Sequence, residues 1–207
     1  LNGDIYVCRR ESTDVRWGLV VKIGPPVSTS ACEVSPCISS DGLSLFFSES
    51  MSPFVAPLRP GGFGAGDLWV ATRVAVDAPW SQPVNIGPQV NTAAEESNPD
   101  ISADGLSLFF TSDRPGGFGR GDLYVATRPD TESPWAEPIN LGTHVNSEQS
   151  DGTPSISSDG LHLFFHSNRP PSQTAHQVDL YMTSRRSPSD PWGPARRLGR
   201  PVNTIEW

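Results

Sequence analysis

Short apolar segments alternate with glycine- and proline-rich turns along the whole chain. In the clearest segment, Leu106, Leu108 and Phe110 point to one side of an extended strand, and Phe109 points to the other. Apolar side chains on both faces are typical of a sheet that lies between two other sheets. No apolar stripe follows the 3.6-residue period of an amphipathic helix, so the sequence predicts an all-β chain.

Several sequence landmarks recur in the same order along the chain. One is an aspartate followed by an apolar residue and an aromatic residue, found at Asp4, Asp67, Asp122 and Asp179. A second is a tryptophan at the same spacing, at Trp17, Trp80, Trp135 and Trp192. A third is an Asp-Gly turn before Leu-Xaa-Leu-Phe-Phe, which occurs at Asp41, Asp104 and Asp159. Recurrence at steps of 63, 55 and 57 residues indicates stacked structural units.

Each unit contains four strand candidates separated by turn signals. In the central copy these are Pro99 to Ser102, Leu106 to Ser112, Asp122 to Arg128 and Glu137 to Leu141. Four antiparallel strands in about 50 residues are typical of a β-propeller blade. The chain is therefore predicted to be a single β-propeller domain, 1–207, with a half blade at 1–30 and blades at 34–91, 97–146 and 152–203.

About three and a half blades do not close a ring evenly. Either closure is incomplete, or another chain or missing sequence supplies the remaining strands. An unfinished blade exposes strand edges that natural proteins avoid leaving open. We therefore expect a homo-oligomer that completes the propeller as one solution.

The segments Pro99 to Phe110 and Pro154 to Phe165 share the pattern Pro-Xaa-Ile-Ser-Xaa-Asp-Gly-Leu-Xaa-Leu-Phe-Phe. Together with the Asp-Leu-Tyr segments, this pattern resembles the TolB-type, WD-repeat-like β-propeller repeats. The resemblance implies a periplasmic or secreted bacterial protein that binds other proteins, or an accessory propeller of a hydrolase or lyase. Its motifs are turn and packing residues, so they specify fold more than function.

Composition and charge limit the classes of partner that we expect. The formal net charge of −8 argues against nucleic acid, which requires clustered positive side chains. No apolar run approaches the roughly 20 residues of a membrane span, so we expect no membrane insertion. The three cysteines are interpreted as small apolar fillers, although a Cys32–Cys37 disulfide stays open.

The recurring polar residues are interpreted as architecture. In the Asp-Gly turns, the aspartate accepts backbone hydrogen bonds, and the turns offer too few ligands for a cation. The aspartates of the Asp4 series are expected to accept hydrogen bonds from a neighbouring loop or to pair with Arg114 or Arg169. The four tryptophans are expected to pack between blades or to anchor loops.

Two histidines offer the one candidate metal pair. His162 and His166 lie four residues apart on one predicted strand and so share a face, but a metal needs at least one further ligand. We interpret both as polar strand residues and predict no metal and no cofactor.

No nucleophile elbow, zinc-spaced Cys/His set or metalloprotease motif is present in the sequence. The chain is therefore predicted to be a non-catalytic binding or scaffolding module for a protein or glycan partner. Candidate partner-binding residues lie in the two least repetitive loops, at Met51, Phe54, Leu58, Gln173 and His176. The alternatives are the propeller portion of a carbohydrate-active or peptidase-like enzyme, and an engineered or excised repeat fragment without activity.

Overall fold

The computed structural model describes residues 3–49, 58–170 and 178–203, and these residues form strands and turns without any helix. Three sheets contain four antiparallel strands each, and a fourth sheet contains two. Within each four-stranded sheet the strands lie side by side in chain order. The prediction of an all-β propeller built of four-stranded blades, with one incomplete unit, is confirmed.

The half blade consists of β1 (Tyr6–Val7) and β2 (Val21–Lys22). Blade 1 consists of β3 (Glu33–Ile38), β4 (Ser44–Glu49), β5 (Leu68–Thr72) and β6 (Val84–Asn85). Blade 2 consists of β7 (Glu96–Ile101), β8 (Ser107–Ser112), β9 (Asp122–Thr127) and β10 (Ile139–Asn140). Blade 3 consists of β11 (Asp151–Ile156), β12 (His162–Ser167), β13 (Asp179–Ser184) and β14 (Arg196–Arg197).

The first strand of each blade begins earlier than the sequence predicts and carries a bulge. Ser35, Asn98 and Thr153 occupy the bulges with φ of 51°, 53° and 52°, each directly before a proline. Proline cannot donate a ladder hydrogen bond, so its presence in a segment argues against a strand there when only the sequence is considered. Because β3 contacts β7 and β7 contacts β11, these first strands line the central axis. The fourth strands are shorter than predicted, with two residues each.

Apolar side chains of neighbouring blades form one core at each junction. Leu108 and Phe110 of β8 pack with Phe46 and Leu68 of blade 1, whereas Phe109 packs with Leu163 and other residues of blade 3. Alternating side chains along Leu106 to Phe110 therefore pack into two different cores, as the sequence predicts. A third core joins the half blade to blade 1 through Ile5, Val27, Leu45 and Phe47.

Backbone hydrogen bonds also connect the blades. The amide of Glu96 donates to the carbonyl of Gly66 at 2.8 Å, and the amide of Asp151 donates to the carbonyl of Gly121 at 2.8 Å. Each bond joins the entry of a third strand to the first strand of the next blade. These bonds fix the height of one blade against the next. Among the described residues, no helix is long and apolar enough to cross a membrane.

Candidate functional site

The aspartates of the Asp4 series close the glycine-rich loops of their own blades. Asp122 accepts hydrogen bonds from the Phe118 amide at 2.6 Å and from the Asn140 side chain at 2.8 Å. Asp67 accepts the equivalent bonds from Phe63 and Asn85. At the chain ends, Asp4 pairs with Lys22 and Asp179 pairs with Arg197. These residues hold loops and outer strands in place.

Of the two alternatives predicted for these aspartates, Asp67 and Asp122 follow the first, a hydrogen bond from a loop. The second, pairing with Arg114 or Arg169, is wrong. Arg114 instead pairs with Glu96 at 3.1 Å and donates to the carbonyl of Val90 in blade 1 at 2.6 Å. Arg169 pairs with Asp151, and it also donates to the Val145 carbonyl of blade 2. Each arginine thus joins a buried acid of its own blade to the end of the preceding blade.

The buried acids Glu33, Glu96 and Asp151 are the residues that sequence reasoning missed. Their exposed fractions are 1%, 0% and 0%. Each accepts hydrogen bonds from the amide and hydroxyl of a residue four positions earlier, namely Thr29, Thr92 or Ser147. A recurring Thr/Ser-Xaa-Xaa-Xaa-Glu/Asp pattern at the repeat spacing was the signal that could have found them.

Three of the four tryptophans lie at blade junctions. Trp135 contacts the edge of Phe46 across one junction, and Trp192 contacts Phe109 across the next. Trp80 packs against the core shared by the half blade and blade 1. Trp17 differs, because 59% of it is exposed. An arginine lies over the ring of all four tryptophans, and over Trp17 this is Arg10.

The Asp-Gly turns bind their own backbone. Asp104 accepts hydrogen bonds from the Ser102 hydroxyl at 2.6 Å and the Leu106 amide at 3.0 Å. The serine hydrogen bond lowers the pKa of Asp104, and the same cause lowers the pKa of Asp41 and Asp159. These contacts account for the turn aspartates as structural residues.

All three cysteines are free thiols, so Cys32 and Cys37 form no disulfide. Cys37 contacts the Asp100 carboxylate at 3.2 Å across the first strands of blades 1 and 2. Burial, with a smaller effect of the Asp100 charge, raises the pKa of the Cys37 thiol to about 12. The thiol therefore stays protonated at neutral pH and unreactive as a nucleophile.

A polar cleft of about 240 Å³ opens between blades 2 and 3, at the end of β8 where the glycine-rich loop begins. We call it the cleft. Its lining includes Glu95, Asn98, Asp113 and Arg120 from blade 2 and Gly152 and His166 from blade 3. Asn98 stands in the β7 bulge, so the cleft lies beside the central axis.

The Asp113 carboxylate is held against the backbone of Glu95. The Glu95 amide donates to the Asp113 carboxylate at 2.8 Å. Burial raises the pKa of Glu95, and the charges of Asp113 and Glu96 add to that effect. Arg120, in the loop that leads to β9, supplies a positive charge to the same lining. The cleft thus offers hydrogen-bond donors and acceptors side by side.

His166 reaches the cleft from β12. Its Nδ1 lies 3.0 Å from the hydroxyl of Thr153, and burial lowers its pKa. His162 instead lies near Asp159, with its Nδ1 3.8 Å from a carboxylate oxygen. Within residues 3–49, 58–170 and 178–203, no group of three or more His, Cys, Asp or Glu is arranged to hold a metal ion.

Several cleft residues differ from the residues at equivalent positions in the other repeats, whereas the residues around the cleft are repeated. At the junction of blades 1 and 2, the positions equivalent to Glu95, Arg120 and His166 hold Cys32, Ala65 and Thr111. Gly152 corresponds to Ser97 one blade earlier. The buried ion pairs and aromatic contacts recur at both junctions, and they do not use the side chains of Glu95, Arg120 and His166.

The partner-binding residues predicted from loop length fall mostly outside the described residues. This holds for Met51, Phe54, Gln173 and His176. Leu58 is described and is half-buried beside Arg59. Sequence reasoning did not single out Glu95, Asp113 or Arg120, and it considered His166 only as a metal ligand.

Solved structures with a similar fold include TolB and glycoside hydrolases. The alignment with TolB from Acinetobacter baumannii covers 87% of this chain and 35% of the TolB chain, with 16% identity and a TM-score of 0.53. The alignment with an α-L-arabinofuranosidase from Lactobacillus brevis covers 87% of this chain and 60% of that enzyme, with 14% identity and a TM-score of 0.55. The alignment with a thermostable family-43 glycoside hydrolase covers 98% of this chain and 69% of that enzyme, with 13% identity and a TM-score of 0.54.

These likenesses establish a propeller-type fold and no more, because identity is low in every case. The chain spans about a third of the length of the TolB structure that it matches. No protein-family model and no curated protein matches the sequence.

Proposed function

We propose that this propeller is a non-catalytic binding module for a protein or glycan partner, with the ligand in the cleft between blades 2 and 3. The observation that carries the proposal is the departure of the cleft from the repeat. Residues that stack the blades recur at each junction, whereas Glu95, Arg120, Gly152 and His166 replace Cys32, Ala65, Ser97 and Thr111. Side chains that the recurring stacking contacts do not use are available for recognition.

The position of the cleft also supports binding. It opens beside the central axis, and residues from β7, β8, β11, β12 and the loop before β9 converge on it. Strands hold five of the ten lining residues, so this part of the cleft is ordered before a ligand binds. A preformed recess with a few converging polar groups is typical of a ligand site.

Arg120→Ala tests the proposal. Blade 1 carries Ala65 at the equivalent loop position, so the substitution leaves the fold intact. We expect the natural chain to bind members of an immobilised panel of oligosaccharides and peptides, and Arg120→Ala to weaken that binding at least tenfold, about 1.4 kcal/mol. Biolayer interferometry measures the affinities.

Arg186→Ala is the matched control, because the Arg186 side chain is 93% exposed and lies on an outer loop. It removes the same charge far from the cleft. Equal affinity of Arg120→Ala and the natural chain would contradict the proposal, as would a panel without any bound member.

A second candidate function is hydrolysis of a glycosidic bond, favoured by the raised pKa of Glu95 beside the carboxylate of Asp113. Most glycosidases use two carboxyl groups, and the pKa of the one that acts as the general acid is raised. Chromatography of oligosaccharides after incubation with the chain tests it. Products formed by the natural chain but not by Glu95→Gln would replace the binding proposal with this one.

A further inference from the structure

We infer that the cleft binds one neutral sugar unit of a glycan, and this inference rests on the proposed function. The first observation is size. A volume of about 240 Å³ is below the roughly 300–1,000 Å³ of pockets that take drug-sized ligands. A single ring with its substituents fits such a space, whereas a folded peptide segment requires more.

The lining is the second observation. Glu95 and Asp113 present carboxylates, and Arg120 presents N–H donors. The side-chain oxygen of Asn98 accepts from Ser35 and one N–H donates to Ser97, which leaves its second N–H as a donor. Adjacent hydroxyl groups of a sugar donate to carboxylates and accept from guanidinium and amide groups. A polyhydroxylated ring therefore satisfies all of these groups at once, which a simple anion or cation does not.

Charge favours a neutral ring over an acidic one. A uronate would add a third carboxylate to a lining in which Glu95 and Asp113 already outnumber Arg120. Like charges in one recess raise the free energy of the complex. A neutral sugar avoids this penalty.

Gly152 keeps the cleft open. A Cβ atom at this position would lie 3.1 Å from Nε2 of His166 and 3.2 Å from Oγ1 of Thr111. The φ of Gly152 is not in the left-handed region, so an added side chain would act by filling space. Blade 2 has Ser97 at the equivalent position, where no such opening is required.

Phe118 is an exposed aromatic residue two positions before Arg120 in the chain. Its side chain is 46% exposed, and it lies in the same loop as Arg120. An exposed aromatic ring suits the C–H face of a sugar, because burial of both apolar faces stabilises the contact. We assign Phe118 as the surface for the ring or for its neighbour in the glycan.

Isothermal titration calorimetry tests the inference with three probes: a neutral hexose hexamer, a neutral pentose hexamer and a uronate hexamer. We expect at least one neutral hexamer to bind, and the uronate to bind at least tenfold more weakly. Gly152→Ala should weaken neutral binding at least tenfold. Gly199→Ala is the control, because an added Cβ there meets nothing within 4 Å.

Phe118→Ala should weaken neutral binding at least threefold. Phe63→Ala is its control, since Phe63 occupies the equivalent loop of blade 1 and is 49% exposed. Thermal melting checks that each variant folds. Should Gly152→Ala fail to fold, Asn98→Ser, which copies Ser35 of blade 1, removes an amide of the cleft and should weaken binding as well.

The outcomes separate this inference from the proposed function. Binding of peptides but of no neutral hexamer, lost in Arg120→Ala, would overturn the sugar assignment and leave the binding module in place. Uronate binding as tight as neutral binding would also overturn it. Absence of any bound probe or peptide would overturn both.

Discussion

The junction between blades 2 and 3 and the open face of blade 3 are built from the same sequence pattern and differ in burial. Phe109 on β8 and Phe164 on β12 are equivalent, yet they are 1% and 36% exposed. Leu123 and Leu180 show the same contrast, at 0% and 44%. Blade 3 covers the first pair, whereas no described residue forms a further blade over the second. A blade therefore completes its core only through its neighbour.

The first prediction uses this pair directly. Phe109→Ala should destabilise the fold by about 3–5 kcal/mol, because it opens a cavity in a core that spans two blades. Phe164→Ala should cost much less, because its ring is already partly exposed. Urea denaturation of both variants measures the difference in the free energy of unfolding.

Equal losses would contradict the view that the blade 3 face is open in solution, and they would point to a second copy covering it. Self-association through this face stays a prediction from the sequence. Light scattering across protein concentration tests it. A mass that rises with concentration in the natural chain, but not in Phe164→Lys, would support a homo-oligomer.

The second prediction concerns the ion pair that joins blades 1 and 2. Arg114→Ala leaves Glu96, which is fully buried, without its positive partner and frees the Val90 carbonyl. Removal of one partner from a buried pair costs about 3–5 kcal/mol, and the 13% exposure of the Arg114 side chain places the cost near the lower end. Urea denaturation is again the measurement.

Arg197→Ala is the control for this prediction. Its pair with Asp179 lies on the outer strand of blade 3, away from any described junction, and the Arg197 side chain is 30% exposed. Solvent there takes over the lost contacts, so we expect little change in stability. Comparable losses of stability in the two arginine variants would show that the Arg114 pair does not stabilise the junction between blades.

Much of the fold was predictable, because each repeat carries several sequence signals that indicate the same structure. The alternation of Phe109 and Phe110 indicates two faces, and the regular spacing of the tryptophans indicates equivalent units. The partner of Arg114 was not predictable in the same way. Three acids recur in each complete blade, and spacing alone cannot tell whether Asp122 or Glu96 faces the arginine, since that choice depends on the three-dimensional path of the loop.

The cleft was harder to find from sequence for a related reason. Glu95, Arg120 and His166 lie far apart in the chain and come together only when blade 3 stacks on blade 2. Loop length drew attention to the insertion near Met51, whereas the cleft arises from substitutions in segments of unchanged length. Its one visible signal was departure from the repeat at aligned positions.

The last and smallest expected effect also belongs to the junction of blades 2 and 3. Burial lowers the pKa of His166 below its usual 6.5, against a smaller opposing effect of Asp151. The unfolded chain therefore takes up this proton at a higher pH than the folded chain, so stability falls as the pH drops through about 6.5. The raised pKa of Glu95 acts in the opposite sense, because the folded chain then binds its proton more readily.

His166→Gln removes this titration and should lose less stability than the natural chain between about pH 7 and pH 5.5, a range above the usual pKa of glutamate. His162→Gln, on the same strand with a side chain that is 44% exposed, is the matched control. Urea denaturation at several pH values gives the two slopes. A His166→Gln slope equal to that of the natural chain would mean that the histidine is hydrated in both states, and that the junction is open to water where the cleft meets β12.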